Sequence, residues 1–260
     1  MSEQPSAMQK IRGPRRDKGQ PRWTERDLAV LTWIAEQYGV RRDQLAMLLG
    51  RGAAAQTKAP GRLAETTVKD WVQRWRGAGV LGSTHLLMGQ YAWVWVTYLG
   101  LDHLGLEYRY WEPKARSLPH LHAINQARLL VEARQPEAEW RSERALRSGQ
   151  PFTAGQTQGE HQPDAEVLIG GSRVAIEVEL HIKSKKRQPA ILYQLARRYD
   201  GIWYFCPKAL EERLHQSFAQ LDAAARRKFS LVLLPREQAA PAGRPATPPP
   251  GDAPGRADGR

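Results

Sequence analysis

The chain has 260 residues, with 39 Lys or Arg against 27 Asp or Glu, which gives a formal charge of +12. Its 41% hydrophobic content and nine tryptophans can fill real cores, so the composition excludes a collagen, a coiled coil and a wholly disordered chain. A single cysteine excludes an internal disulfide, and no apolar run reaches the roughly 20 residues of a membrane span. We therefore expect a cytoplasmic protein that binds no membrane, whose basic charge favours double-stranded DNA as a partner.

The two ends are expected to be disordered, because they have too few apolar residues to bury. Residues 1–22 carry six Lys or Arg and read as a basic arm, whereas residues 237–260 are rich in Pro, Gly and Ala. Between them the sequence predicts two domains, over 23–111 and 136–236, connected by a helix within 112–135.

The first domain begins with a helix capped by Thr24, with Asp27 in the third helical position of a capping box. A second helix is predicted over 43–49, and a third has a helical apolar stripe formed by Val68, Trp71, Val72 and Trp75. Strand-like stretches follow at 80–81 and 91–97. Three helices followed by a two-stranded ribbon is the order of a winged helix-turn-helix.

The other face of the third helix carries polar residues that can contact base edges or phosphates in a major groove. They are Thr66, Thr67, Lys69, Gln73 and Arg74. The pieces RRDQLAMLLG, TTVKDWVQRWRGAGVLG and YAWVWVTYLG resemble the winged-helix DNA-binding domains of bacterial regulators and plasmid proteins. A merely solvated face, or a winged helix that contacts protein, is the open alternative.

The connecting helix is predicted from the run HLHAINQARLLVEARQ, whose apolar residues recur on one face. His120 and His122 are two residues apart and so point to different sides of that helix, which is poor geometry for a shared metal. We interpret both as core or interface histidines.

The second half predicts an αβββαβ mixed sheet flanked by helices, with one further helix and strand. A short element over 140–146 contains Glu143, and strands over 164–169 and 173–181 meet at the hairpin turn Gly170-Gly171. The remaining elements are a helix over 188–199, a strand over 202–206, one long helix over 208–228 and a strand over 230–234.

The second of these strands carries the candidate chemistry. Strand alternation places Glu177 and Glu179 on one face, and the hairpin brings Asp164 opposite them. Such carboxylates suit Mg²⁺ or Mn²⁺, which can activate water and neutralise charge on a phosphodiester. Lys183 follows close behind and could stabilise the phosphate. The open alternative is a half-exposed strand whose glutamates are only solvated.

The run HQPDAEVLIGGSRVAIEVELHIKS resembles the PD-(D/E)xK nuclease signature. The resemblance implies a catalytic set of Asp164, Glu177, Glu179, Lys183 and Glu143, in which the metal ligands are Asp164, Glu177 and Glu179. Glu143 matches the upstream acid of that superfamily. Glu179 stands where a lysine is usual, and Lys183 reads as a displaced lysine. His161 and His181 flank the cluster, and Cys206 is expected to be a buried small hydrophobe.

Over about residues 23–207 the order of these motifs resembles the replication-relaxation family of plasmids, phages and integrated elements. That resemblance implies a winged helix fused to a restriction-endonuclease-like domain. The expected function is a DNA-binding protein of a mobile element that cuts or nicks DNA, as a homodimer if both strands are cut. The alternatives are a non-catalytic replication or mobilisation factor, with a relaxase or replication proteins as partners, and a transcriptional repressor.

Overall fold

A computed structural model describes residues 23–51, 61–148, 161–181 and 187–235. The predicted basic arm and the Pro-rich tail lie outside these residues, and so does Lys183. Across the described ranges, no helix combines the length and the apolar character needed to cross a bilayer.

The first part of the chain contains helices and a small antiparallel sheet of order β1-β3-β2. Its elements are α1 (Glu25–Glu36), β1 (Val40–Arg41), α2 (Arg42–Gly50), α3 (Glu65–Gly77), β2 (Leu81–Thr84), β3 (Trp93–Val96) and α4 (Tyr98–His103). The three predicted helices and the β2–β3 ribbon are therefore present. The sequence reasoning missed β1, which pairs with β3 through Val40 and Val94, and it missed α4.

The start of α1 is fixed by the predicted capping box. The Thr24 hydroxyl accepts the Asp27 N–H at 3.1 Å, and the Asp27 carboxylate accepts the Thr24 N–H at 3.0 Å. Asp27 also accepts the indole N–H of Trp75 at 3.1 Å and pairs with Arg74. The cap of α1 is thereby tied to α3, which buries its predicted stripe in the same core.

The second part contains a five-stranded mixed sheet of order β4-β5-β6-β7-β8. Strands β4 to β6 pair antiparallel, and β6, β7 and β8 pair parallel. After a short 3-10 turn, the elements are α5 (Leu118–Arg134), β4 (Glu139–Ser142), α6 (Glu143–Arg147), β5 (Ala165–Ile169), β6 (Ser172–Val178), α7 (Arg187–Arg198), β7 (Gly201–Cys206), α8 (Glu211–Ala219), α9 (Ala223–Arg226) and β8 (Phe229–Leu233). The mixed α/β class predicted from the sequence is confirmed.

Helices cover both faces of this sheet. Helix α5 packs its Ala127 and Val131 against Ile176 and Val178 of β6. On the other face, Leu195 of α7 and residues of α8 pack against β7. Between β5 and β6, Gly170 and Gly171 have φ values of +55° and +80°, which glycine adopts without the steric cost that a side chain adds. The predicted hairpin is confirmed.

The prediction of one helix over 208–228 is wrong. Helix α8 ends at Ala219, and Asp222 starts α9 by accepting the N–H groups of Ala224 and Ala225 at 3.0 and 2.9 Å. An aspartate that caps a new helix competes with continuation of the old one, which is why the periodic pattern alone misled. The short element over 140–146 is likewise split at Ser142 into β4 and α6.

Helix α5 contacts both parts of the molecule. The Asn125 side chain donates to the Gly39 carbonyl at 2.9 Å, and Gln44 donates to the His122 carbonyl at 2.8 Å. Its Glu132 carboxylate accepts the Trp33 indole N–H at 3.1 Å and bonds Arg128 at 2.6 Å. Helix α5 is thus hydrogen-bonded to the first part of the chain and packs its apolar face on the five-stranded sheet.

Candidate functional site

Three carboxylates lie on the face of the five-stranded sheet that α7 and α8 cover. We call Asp164, Glu177 and Glu179 the acidic row. The pairing of Ala165 with Ile176 places Asp164, one residue earlier, opposite Glu177. Glu177 in turn is paired with Tyr204 across the parallel β6–β7 ladder. Hairpin register and strand alternation therefore bring together the three residues that the sequence proposed as metal ligands.

Both glutamates of the acidic row are buried, with 1% of Glu177 and 6% of Glu179 exposed. The Glu179 N–H also bonds the Phe205 carbonyl at 2.9 Å, so the β6–β7 pairing continues past the end of β6. Val178 packs in the core of the opposite face. The predicted alternation is confirmed, and the alternative of a solvated glutamate face is wrong.

Asp164 is fixed at the start of β5 by two contacts. One carboxylate oxygen accepts the Val178 N–H at 2.7 Å, and the other lies 3.0 Å from Nε2 of His120. His120 is at the start of α5 and 46% of its side chain is exposed. Of the two interpretations, core or interface, His120 is therefore not a core residue, whereas His122 is buried.

Glu177 is held by a histidine that α7 positions. The Nε2 atom of His161 lies 2.8 Å from the Glu177 carboxylate. The His161 N–H donates to Gln194 at 3.1 Å, and Arg198 donates to the His161 carbonyl at 3.0 Å. One predicted flanking histidine thus contacts the acidic row, while His181 is an exposed residue.

Tyr204 is a site residue that the sequence reasoning missed. It is 1% exposed, and its pKa is raised well above the ordinary value by burial and then by the charges of Glu177, Glu179 and Asp164. The phenol therefore stays neutral beside the acidic row. Only the parallel register between β6 and β7 brings it there, and sequence periodicity does not contain that register.

Glu143, the predicted upstream acid, lies next to the acidic row. As the first residue of α6 it donates its N–H to the Asp164 carbonyl at 3.1 Å. Its carboxylate pairs with Arg147 at 2.6 Å. Burial raises the pKa of Glu143, Arg147 lowers it, and the nearby Asp164 charge raises it, with a net upward shift. Glu143 thus takes up a proton more readily than an ordinary glutamate.

Mg²⁺ is commonly held by one or two carboxylates together with waters and substrate phosphates. Asp164 and Glu177 supply hard oxygen donors of that kind at paired positions of the β5–β6 hairpin. Among the described residues, no group of three or more His, Cys, Asp or Glu side chains is arranged to hold a metal. Asp164 and Glu177 would therefore supply at most two ligands, and waters and a substrate phosphate would have to supply the rest.

The predicted DNA-contact residues lie on one helix but differ in exposure. Thr66, Lys69 and Gln73 are exposed on α3, and Thr67 is partly buried. Arg74 is engaged within the fold, because it pairs with Asp27 and lies 4.6 Å from the centre of the Trp71 ring. Asp70, omitted by the sequence reasoning, is exposed on the same helix and places a negative charge there.

Cys206, at the end of β7, is fully buried, as predicted. Burial raises the pKa of its thiol to about 11, so the thiol is protonated at neutral pH. A thiol in that state is a poor nucleophile, which leaves the carboxylates as the chemistry of this face.

No protein-family model, curated protein or solved structure matches this chain. The resemblances to PD-(D/E)xK nucleases and to the replication-relaxation family stay predictions from the sequence. The functional argument is therefore built on the geometry of the acidic row.

Proposed function

We propose that this is a DNA-binding protein of a mobile element in which the acidic row cuts or nicks DNA phosphodiesters with Mg²⁺ or Mn²⁺. The observation that carries the proposal is the convergence of Asp164, Glu177 and Glu179 beside Tyr204 on one buried sheet face. Burying carboxylates together is costly unless cations or hydrogen bonds compensate their charge. A divalent cation would add to the compensation that His120, His161 and the Val178 N–H already provide, and it would give the arrangement a function.

The chemistry would divide among the residues as follows. Asp164 and Glu177 would hold the cation, with Glu179 as a further ligand or as the group that positions water. When bound, the cation lowers the pKa of a coordinated water and neutralises charge on the phosphodiester. His120 and His161 orient the two carboxylates through contacts of 3.0 and 2.8 Å.

Glu143 would accept a proton at this site, and Tyr204 would stay neutral beside it. Glu143, with its raised pKa, can accept a proton near neutral pH more readily than an ordinary glutamate. The Tyr204 phenol stays protonated and contributes no negative charge of its own. Lys183, placed in the catalytic set by the PD-(D/E)xK resemblance, lies outside the described residues.

Site selection would belong to the first part of the chain, which we propose to be a winged helix on double-stranded DNA. The order of three helices and an antiparallel ribbon supports this assignment. So does the exposure of Thr66, Lys69 and Gln73 on α3. Since Arg74 is engaged by Asp27, we assign base or phosphate contacts to the other residues first.

The second candidate is a non-catalytic replication or mobilisation factor, with a relaxase or replication proteins as partners, or a repressor. It is favoured by Glu179, which stands where the nuclease signature has a lysine and adds a negative charge instead. In that case the sheet would serve as a scaffold, and DNA binding would not depend on a metal.

The deciding experiment is incubation of supercoiled plasmid with the purified protein in Mg²⁺ or Mn²⁺, with EDTA as the metal-free arm. Glu177→Gln removes a charge and keeps the shape of the side chain. Its matched control is Glu166→Gln, which alters a buried carboxylate of the same sheet that is paired with Arg141 and Arg173.

We expect metal-dependent nicking by the natural protein and by Glu166→Gln, and loss of nicking in Glu177→Gln with DNA affinity retained. DNA binding that EDTA does not change, together with intact plasmid in every arm, would overturn the enzyme proposal in favour of the accessory factor.

A further inference from the structure

A second concave site lies beside Glu143, between the first part of the chain and α6. It encloses about 830 Å³, within the about 300–1,000 Å³ typical of ligand sites. Its walls include four aromatic side chains, and we call it the aromatic cleft. These side chains are Tyr38, Tyr108, Tyr110 and Trp111.

Three of the aromatic residues come from one short segment and are only partly buried. Tyr110 is extended by a further ring, because Tyr98 stacks on it with centroids 4.0 Å apart and an interplanar angle of 25°. Tyr98 itself is 69% exposed. The cleft therefore presents flat aromatic surface to solvent, which a protein core would normally cover.

Tyr38 enters the cleft with an unusual backbone. Its φ is +65°, and it is the only non-glycine residue with positive φ in the described ranges. Its ring lies 5.5 Å from that of Trp111 and 5.0 Å from the Arg144 guanidinium. A side chain held in the left-handed region costs free energy, and such strain concentrates at functional sites.

The cleft is also basic. Its walls carry four cationic side chains against the two carboxylates Glu107 and Glu112. Arg144 is 6% exposed and lies over the rings of both Tyr38 and Tyr108, at 5.0 and 4.7 Å. The other three cations are exposed, namely Arg109, Lys114 and Arg147. Aromatic faces beside cations are the combination that binds single-stranded nucleic acid.

A chain of direct contacts connects the cleft to the acidic row. Arg147 lines the cleft and pairs with the Glu143 carboxylate at 2.6 Å. The N–H of Glu143 then bonds the Asp164 carbonyl at 3.1 Å. A strand lying in the cleft would therefore have its backbone close to the residues that we assign to cleavage.

We propose that the aromatic cleft binds unpaired bases of single-stranded DNA and guides that strand to the acidic row. The inference rests on the proposed function, which it sharpens by naming the substrate as an unpaired or locally opened strand. Bases inside a duplex are stacked on one another, so they cannot stack on protein rings. Single-stranded bases can stack there, and the exposed cations Arg109 and Lys114 would bind the phosphates between them.

The test measures fluorescence anisotropy of a labelled single strand and of its blunt duplex with the full-length protein, without divalent metal. Tyr110→Ala removes the stacking ring, and Tyr110→Phe keeps the ring but loses the hydroxyl that donates to Glu112 at 2.6 Å. Tyr193→Ala is the matched control, an exposed tyrosine of α7 outside the cleft.

We expect Tyr110→Ala to weaken single-strand binding about tenfold and to leave duplex binding unchanged. Tyr110→Phe and Tyr193→Ala should both bind like the natural protein. If Tyr110→Phe weakened single-strand binding as much as Tyr110→Ala, the hydroxyl contact and not stacking would be responsible. That result would overturn the inference.

Failure of the inference and failure of the proposed function give different results. Unchanged single-strand binding in Tyr110→Ala, or equal weakening with both DNAs, overturns the cleft inference even if plasmid nicking depends on Glu177. Selective single-strand loss in Tyr110→Ala supports the cleft, and absence of nicking would then overturn only the catalytic proposal.

Discussion

Two sets of carboxylates lie on the same face of the five-stranded sheet, and different side chains hold them. Glu166 of β5 is 3% exposed and pairs with Arg141 at 3.3 Å and with Arg173 at 2.7 Å. Further along this face, Asp164 and Glu177 contact histidines, and Asp164 also accepts a backbone N–H.

The difference is between a carboxylate paired with two arginines and a group of carboxylates that surround one tyrosine. The charge of Glu166 is balanced by two guanidinium groups, which is how proteins usually bury an acid. In the acidic row the charges of Asp164, Glu177 and Glu179 together add to the effect of burial and raise the pKa of Tyr204. Convergent like charges in a buried position are a mark of functional sites.

The largest effect on stability is expected from Glu166→Ala. It leaves Arg141 and Arg173 without their common partner, so the free energy of unfolding should fall by about 2–3 kcal/mol. This is less than the about 3–5 kcal/mol of a fully buried pair, because the arginines keep 32% and 36% of their surface in water. Urea unfolding measures the change.

Glu177→Gln is the matched comparison for that experiment. It removes one of several like charges, so we expect its free energy of unfolding to stay within about 1 kcal/mol of the natural protein. If the free energy of unfolding fell further in Glu177→Gln than in Glu166→Ala, the assignment of structural and functional carboxylates would be reversed.

A smaller and pH-dependent effect is expected at Glu132, another carboxylate paired with arginines. Burial raises the pKa of Glu132, but Arg128 and Arg51 outweigh burial, so the net pKa is lowered. Its stabilisation is therefore present above the ordinary glutamate pKa and is lost as pH falls through the lowered value. Glu132→Gln should cost about 1–2 kcal/mol at pH 7.

The same urea experiment at decreasing pH checks the sign for Glu132. The difference in free energy of unfolding between Glu132→Gln and the natural protein should disappear at acid pH. A difference that stays constant with pH would show that the Glu132 side chain stabilises the fold by its shape and not by its charge.

The smallest effect, of opposite sign, is expected at Glu143, beside the acidic row. Because burial and Asp164 raise its pKa, its favourable contribution is present below the ordinary glutamate pKa and is lost as pH rises through the raised value. Relative to Glu143→Gln, the natural protein should lose stability as pH rises, by less than about 0.5 kcal/mol, because Arg147 partly compensates the charge. Thermal unfolding across pH resolves a shift of this kind, and a gain in relative stability with rising pH would contradict it.

Local signals in the sequence predicted much of this architecture. The capping box of α1, the Gly170-Gly171 turn and the two faces of β6 each depend on residues close together in the chain. Asp164, Glu177 and Glu179 were proposed in the same way, because hairpin register follows from local spacing. Glu143 was proposed from the PD-(D/E)xK resemblance alone.

What the sequence did not predict depends on long-range pairing or on competition between local signals. Tyr204 reaches the acidic row only through the parallel β6–β7 register, and β1 exists only because β3 pairs with it. His120 reaches Asp164 from the start of α5, across a separation of 44 residues. The break after α8 was missed because Asp222 begins a new helix inside an otherwise helical pattern.

The central claim is that the acidic row binds a divalent cation, and Mn²⁺ titration followed by electron paramagnetic resonance tests it directly. The natural protein and Glu166→Gln should bind Mn²⁺ with the same affinity, and Glu177→Gln should bind it at least about tenfold more weakly. Equal Mn²⁺ affinity in all three proteins, or no binding by any of them, would contradict the account.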